Sequence, residues 1–339
     1  MIKLFHIPDH KIDTSKFSNL IFDKIVTEFE QAFAKYVGAE YAVAVNSCTN
    51  GIFLALKSLQ EKVVCTVPTL MTTRFLSAIE MANCDYEFRD IPEWVGGQYV
   101  LWEQYPKLDH SPNPLILDCA QKVEPNMYYH LTDVDYGCDK DIMVFSFYPT
   151  KPVGGIQGGM IVSNDKDRID WIRQAAHFGE TLSDSTNSWE STTDFKGWQM
   201  FMGTIPAYVA FENLKKYPEK RAKLDHVRNY YNIYLDNVVT NNSYHLYRIR
   251  TPNNDEFLKK MYRDGVVCGI HYKPAHLNKL YGDIFYPTIN YSCDNEPYTQ
   301  SLPNSEKDGR EVVSIPFHEK LTDKEIDKII KLCIQHTTL

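Results

Sequence analysis

Lys151 has apolar sequence on both sides, and it is the residue in this chain best suited to covalent chemistry. It stands in DIMVFSFYPTKPVGGIQGG (141–159), after one strand-like apolar run and just before another. A lysine amine held where water is scarce loses basicity and can form a Schiff base with a carbonyl carbon. Ser146 closes the strand before it, and Pro152, Gly154, Gly155, Gly158 and Gly159 shape the exit. The second candidate is Asp118, at the end of the apolar run in PLILDCAQ (114–121). A carboxylate there lies at the carboxyl edge of a sheet, where open α/β sheets bind ligands. The third is NSCTNG (46–51), a polar break between AVAV and IFLALKSL. Unpaired amides at a helix start, with the Ser47 and Thr49 hydroxyls, can hold a phosphate, although the same residues serve as an ordinary helix cap. The spacing is not that of a GxxxxGK[ST] nucleotide loop.

The elements that position these residues follow from apolar spacing. Ile25, Phe29, Phe33 and Val37 recur every four residues, which predicts a helix over 24–37 ended by Gly38. Strands are expected at 42–45, 63–67, 86–90, 115–118, 142–147 and 159–163, with helices over 52–59, after NSCTNG, and over 72–82. Strands alternating with helices imply βαβ units, hence an α/β fold with a mostly parallel central sheet covered on both faces. Beyond about 165 the pattern changes to helices at 167–178 and 204–236, the second expected to be interrupted near Pro218. Strands at 244–250 and 268–272 and helices at 255–264 and 322–335 suit a smaller α+β unit. The polar stretch 181–194 is expected to be a mobile surface loop.

Composition narrows the functional classes. With 36 basic and 44 acidic residues the chain carries a net charge of −8, which argues against nucleic-acid binding as its main role. No run approaches the roughly 18 apolar residues of a membrane span. The start, MIKLFHIPDHKID, lacks a signal-peptide pattern, so the expected location is the cytoplasm. Eight scattered cysteines without a CxxC pair suggest neither a disulfide framework nor a metal site.

An amine, a strand-end carboxylate and an anion cradle are together what a pyridoxal phosphate enzyme requires. The amine bonds the aldehyde, the carboxylate keeps the ring nitrogen protonated and the helix start holds the phosphate. In FEQAFAKYVGAEYAVAVNSCTNGIFLAL, VPTLMTTRFLSAIEMANC, ILDCAQ and VFSFYPTKPVGGIQGGMIVSND the chain resembles the DegT-like nucleotide-sugar aminotransferases, a family of fold-type I pyridoxal phosphate enzymes. HYKPAH (271–276) and SIPFHEKLTDKEI (314–326) extend the likeness toward the carboxyl terminus. The resemblance implies a large cofactor-binding α/β domain over 1–230 and a small α+β domain over 231–339.

It also implies roles for individual residues. Lys151 resembles the lysine that bonds the cofactor and shuttles the proton, Asp118 the partner of the ring nitrogen, and Gln121 the contact of the ring hydroxyl. Ser146 and Thr49, with the backbone at Asn50, resemble the phosphate ligands. The family works as a homodimer whose partner sends a loop into the site, here KGWQMFMG (196–203). Several positions depart from the family. Cys48 replaces a glycine of the phosphate turn, Thr72 an aromatic ring, Gln199 the partner-supplied Asn, Phe201 an Arg and Gln157 a Glu. The implied reaction moves an amino group, with L-glutamate as the expected donor, to a keto sugar that is nucleotide-linked. Retention of Lys151 favours transfer over the dehydration run by relatives with histidine there. His177, His271 and Tyr272 are candidate substrate contacts. Two alternatives stay open: an aminotransferase for a non-nucleotide keto sugar or cyclitol, and a pyridoxal phosphate-binding protein without turnover.

Overall fold

The four-residue apolar spacing at the amino terminus becomes helix α1, Ile25–Val37, which buries Phe29, Phe33 and Val37. Gly38 ends it at φ 85°, a left-handed conformation that glycine adopts without strain, and donates its N–H to the Ala34 carbonyl at 2.9 Å. The computed structural model describes residues 1–90, 101–102, 115–132, 140–181, 189, 192–239, 243–281 and 301–337. After α1 come β1 (Tyr41–Val45), α2 (Cys48–Lys57), β2 (Val64–Pro68), α3 (Thr73–Met81), β3 (Asp85–Arg89), β4 (Leu101–Trp102), β5 (Ile116–Asp118) and α4 (Met127–Thr132). The strands β6 (Ile142–Ser146) and β7 (Gly159–Ser163) precede α5 (Lys166–Ala176) and the long α6 (Thr204–Tyr234). The chain ends in β8 (Tyr247–Arg250), α7 (Asn254–Arg263), α8 (Pro303–Glu311), β9 (Val312–Ile315) and α9 (Asp323–Thr337). Most of the loop expected at 181–194 lies outside the described residues.

The fold is α/β, but its sheets are mixed. The larger has the order β1-β7-β6-β5, with β5 and β6 parallel and β7 antiparallel to both neighbours. The smaller, β3-β2-β4, pairs β2 and β3 in parallel and β2 and β4 antiparallel. The physical reason at β7 is its connection. A turn rather than a crossover helix joins β6 to β7, so the chain comes straight back along its neighbour. Because β7 alone is reversed, the carboxyl ends of β1, β5 and β6 emerge on one edge. Gly159 pairs with Val45 on one side and Ser146 on the other, while Asp118 pairs with Val144.

Alternate residues of these strands feed two cores, as a period of two demands. Ala42, Ala44, Met143, Phe145, Met160 and Val162 pack with α1, α6 and the carboxyl-terminal elements. Val43, Val45, Ile142, Val144 and Ile161 pack with α2, α3 and α5. On the first face Phe33 meets Phe145 and Phe147 edge-on, at ring separations of 4.9 and 5.3 Å. Each such contact adds about 1 kcal/mol to plain burial. Glu30 of α1 is buried and accepts from the Ala44 N–H at 2.7 Å and from Arg173 of α5 at 2.8 Å. Helix α6 is unbroken at Pro218, contrary to the expected interruption. Leu214 and Tyr217 before the proline and Leu224, Val227 and Tyr231 after it join the same core, which holds both halves in line. The strand expected at 268–272 reduces to a single bridge, Gly269 to Ser314, because His271 and Tyr272 turn aside to line a cavity.

Candidate active site

At the edge where β1, β5 and β6 end lies a cavity of about 210 Å³. Cys48, Thr49, Asp118, Ser146, Lys151, His271 and Tyr272 line it, together with Phe5, Thr72, Arg74, Thr150 and His245. Lys151 sits in the turn between β6 and β7. Hydrogen bonds from Lys151 N to the Tyr148 carbonyl and from Gly155 N to the Phe147 carbonyl, both 2.9 Å, close that turn. A side chain at Gly154 would meet the Pro149 carbonyl at 2.4 Å, so the turn is as tight as glycine permits. From outside, Lys220 and Asn213 of α6 donate to the carbonyls of Pro152 and Gly154.

The charges lie close enough to perturb one another. Burial lowers the pKa of the Lys151 amine; Asp118 and Cys48 oppose that shift and Arg74 adds to it. Burial likewise raises the Asp118 carboxyl, opposed by the Ala120 N–H at 2.9 Å and by Lys151. Cys48 lies 4.0 Å from Asp118, and burial followed by that carboxylate holds its thiol protonated. The residue in the place of a family glycine is therefore a neutral group beside the acid. Close packing forms the turn itself: a Cβ at Gly159 would lie 2.7 Å from Cys48 N.

Gln121 stands behind Tyr272 and donates to its hydroxyl at 2.9 Å. Its other side-chain atom, Oε1, is buried with no hydrogen-bond partner. An orphaned buried acceptor costs about 1–3 kcal/mol, so it marks the place of a missing donor. At the start of α2, Ser47 Oγ accepts from Asn50 N at 3.1 Å, and the Asn50 amide is thereby taken up as a helix cap. Thr49 and Ser146 face the cavity instead, and Ser146 Oγ accepts from Tyr148 N at 3.4 Å.

His177 and Gln199 lie away from this cavity. They bridge each other in antiparallel fashion, and His177 stacks on Phe201 with ring centroids 4.6 Å apart. Gln199 is exposed, and its carbonyl accepts from the Asn46 side chain at 3.3 Å. Two basic lining residues escaped the sequence reading. His245 stacks on Phe5 at 4.7 Å and comes from a stretch read only as a strand, with no local signal of a site. Arg74 did leave a signal, a cation in the first turn of a helix, where the dipole disfavours it. Thr72 and Tyr272 also line an adjoining cavity of about 470 Å³ that holds Lys273 and Arg310.

The model of the DegT/DnrJ/EryC1/StrS aminotransferase family matches residues 12–84 and 110–333. The chain belongs to the DegT/DnrJ/EryC1/StrS aminotransferase family. It is 25% identical to the UDP-4-amino-4,6-dideoxy-N-acetyl-beta-L-altrosamine transaminase of Campylobacter jejuni, over 89% of this chain and 87% of that protein. It is also 25% identical to the dTDP-3-amino-3,4,6-trideoxy-alpha-D-glucose transaminase of Micromonospora megalomicea, over 92% and 90%. Its fold is similar to a putative sugar aminotransferase of Streptococcus pneumoniae in its PMP form, with TM-score 0.77, 18% identity and 98% of each chain covered. Helicobacter pylori PseC, an aminotransferase involved in the biosynthesis of pseudoaminic acid, aligns with TM-score 0.73 and 17% identity over 98% of this chain and 99% of that one.

Pyridoxal phosphate is the cofactor of this DegT-family chain, and the residues present fit it. A secluded amine, a buried carboxylate and two hydroxyls, Thr49 at a helix start and Ser146 at a strand end, line one cavity, and Gln121 with its unsatisfied amide oxygen bonds Tyr272 of that lining. Each matches one functional group of that molecule.

Proposed function

We propose that this chain moves an amino group from L-glutamate to a keto sugar carried on a nucleotide. The observation that supports this most is Lys151 and Asp118 sharing one cavity with Tyr272, whose hydroxyl accepts from the otherwise unsatisfied Gln121 amide. Bound pyridoxal phosphate supplies an aldehyde that captures amines and a ring that accepts the electron pair left when a proton departs from the donor's α-carbon. Lys151 Nζ would hold the cofactor through that aldehyde. Its basicity lowered by burial, the amine once freed would take the proton that leaves the donor's α-carbon and hand it on. Asp118, with Cys48 as a neutral neighbour, would keep the ring nitrogen protonated. Gln121 Oε1 would receive the ring hydroxyl, and Thr49 at the start of α2 with Ser146 at the end of β6 would hold the phosphate.

The active unit in this reading is a homodimer. Exposed Gln199, in the 196–203 loop, reaches the cavity of the second copy, and His271 and Tyr272 meet substrate from within one copy. The division into a large domain over 1–230 and a small one over 231–339, and a cytoplasmic location, belong to the same proposal. Among the described residues no helix is long and apolar enough to cross a membrane. The test is a panel of nucleotide-linked keto sugars incubated with L-glutamate, with the amino sugar read by mass. A new product with a keto group exchanged for an amine supports the proposal. An absorbance band of the bound cofactor that no amino donor alters overturns it.

A further inference from the structure

We infer that Arg74 is the anchor for the carboxylate of the amino donor, an inference that rests on the transamination reading above. An α-amino acid carries its carboxylate on the same carbon as the reacting nitrogen. Whatever neutralises that anion must therefore line the same cavity as Lys151 Nζ.

The described lining residues leave few choices. Lys151 is committed to the cofactor. His271 is held neutral, its pKa pushed down to about 4 by burial and then by Lys151 and Arg248. His245 is driven well below the usual histidine range by burial and then by Lys151. Arg74 remains, and among the described residues no carboxylate or carbonyl pairs with it. Its charge is felt at Lys151 and across the cavity at Tyr272.

Its position in the helix supports the assignment. Arg74 lies in the first turn of α3, where no acidic residue offsets the helix dipole. The helix dipole disfavours a cation there, a penalty that a bound anion offsets. The guanidinium fork matches a carboxylate bidentately. The diphosphate of a nucleotide sugar is less suited to Arg74, because a sugar ring separates it from the reacting carbon. Lys273 and Arg310 instead line the adjoining cavity.

The test titrates the cofactor-loaded protein with L-glutamate and follows the absorbance band in wild type, Arg74→Gln and Arg74→Lys. The half-conversion concentration is expected to rise about 10- to 100-fold in Arg74→Gln, the loss of one charge-assisted hydrogen-bond pair, and less in Arg74→Lys. The pH midpoint of the band is expected to move up in Arg74→Gln, because a nearby positive charge is gone. Maleate, a dicarboxylate with no amine to react, gives a readout free of turnover; its Kd by calorimetry should weaken by a similar factor. Equal glutamate half-conversion in wild type and Arg74→Gln overturns the anchor and leaves the aminotransferase reading standing. Wild type that converts with no donor overturns that reading, and equal maleate affinity in the two proteins then overturns the anchor as well.

Discussion

Lys220 Nζ donates to the carbonyl oxygen of Pro152 at 2.9 Å and lies 3.5 Å from that of Lys151 itself. Burial lowers the pKa of this ammonium, and Glu319 opposes the shift. The turn that carries the reactive amine is thus held by a lysine donor from α6. Lys220→Met should lower kcat by about tenfold or more, since misplacing a reacting group by about 1 Å can cost 10²-fold. Cofactor affinity should change far less, and Lys220→Arg should recover part of the loss. Steady-state kinetics alongside a cofactor titration checks the split between the two.

Lys151→Ala should abolish the cofactor's absorbance band near the visible edge and reduce transfer by at least about 10²- to 10⁴-fold, the range of a lost proton-transfer group. Asp118→Asn should instead shift the ionisation of Lys151. The aspartate raises the pKa of that amine, so its removal lets burial lower it further. The pH dependence of cofactor recapture by the stripped protein reports this, because capture needs Nζ free of its proton. A midpoint lower in Asp118→Asn than in wild type is the expected result.

Acid should loosen the fold through His271. Its folded pKa, depressed to about 4 by burial first and then by Lys151 and Arg248, lies below the unfolded value of 6.5. The unfolded chain therefore binds the extra proton between those two pH values, and stability falls as pH drops through that window. The full effect is on the order of 3 kcal/mol. Urea midpoints at pH 7 and pH 4.5 should differ less for His271→Gln than for wild type.

Removing the partner of a buried acid should be costly. Arg173→Met leaves the Glu30 carboxylate buried with only the Ala44 N–H as donor, a loss of about 3 kcal/mol or more. Glu30→Gln should cost less, because an amide oxygen can still accept from Ala44. Denaturant unfolding of the two variants and of the double variant checks the order. The double variant should be more stable than Arg173→Met alone.

Much of this architecture was legible along the chain because its signals are local. Four-residue spacing with Gly38 delimits α1, and the continuous apolar runs at 142–147 and 159–163 are β6 and β7, buried along their length. The direction of β7 was not legible in periodicity, since a buried strand reads the same either way. The continuity of α6 through Pro218 depends on tertiary packing and could not be read from a local rule. At the site, residues at strand ends came together: Asp118, Ser146 and Lys151 line one cavity with Thr49 of the first turn of α2. His245, Phe5 and Arg74 arrive from distant parts of the chain and are joined only by folding. His177, a candidate substrate contact in the sequence, is stacked on Phe201.

The unbroken α6 has a consequence for how this gene can change. Its 31 residues span about 46 Å as one rod. Asn213 and Lys220 grip the lysine turn near its middle, and Tyr231 donates to the Pro316 carbonyl at its far end. Each added or deleted residue rotates everything beyond it by about 100°. A single-codon insertion between 213 and 220 would swing Lys220 off its carbonyl and turn the Tyr231 face toward solvent together. Length variation should therefore collect in the loops, and this rod should be a stretch where only substitutions survive.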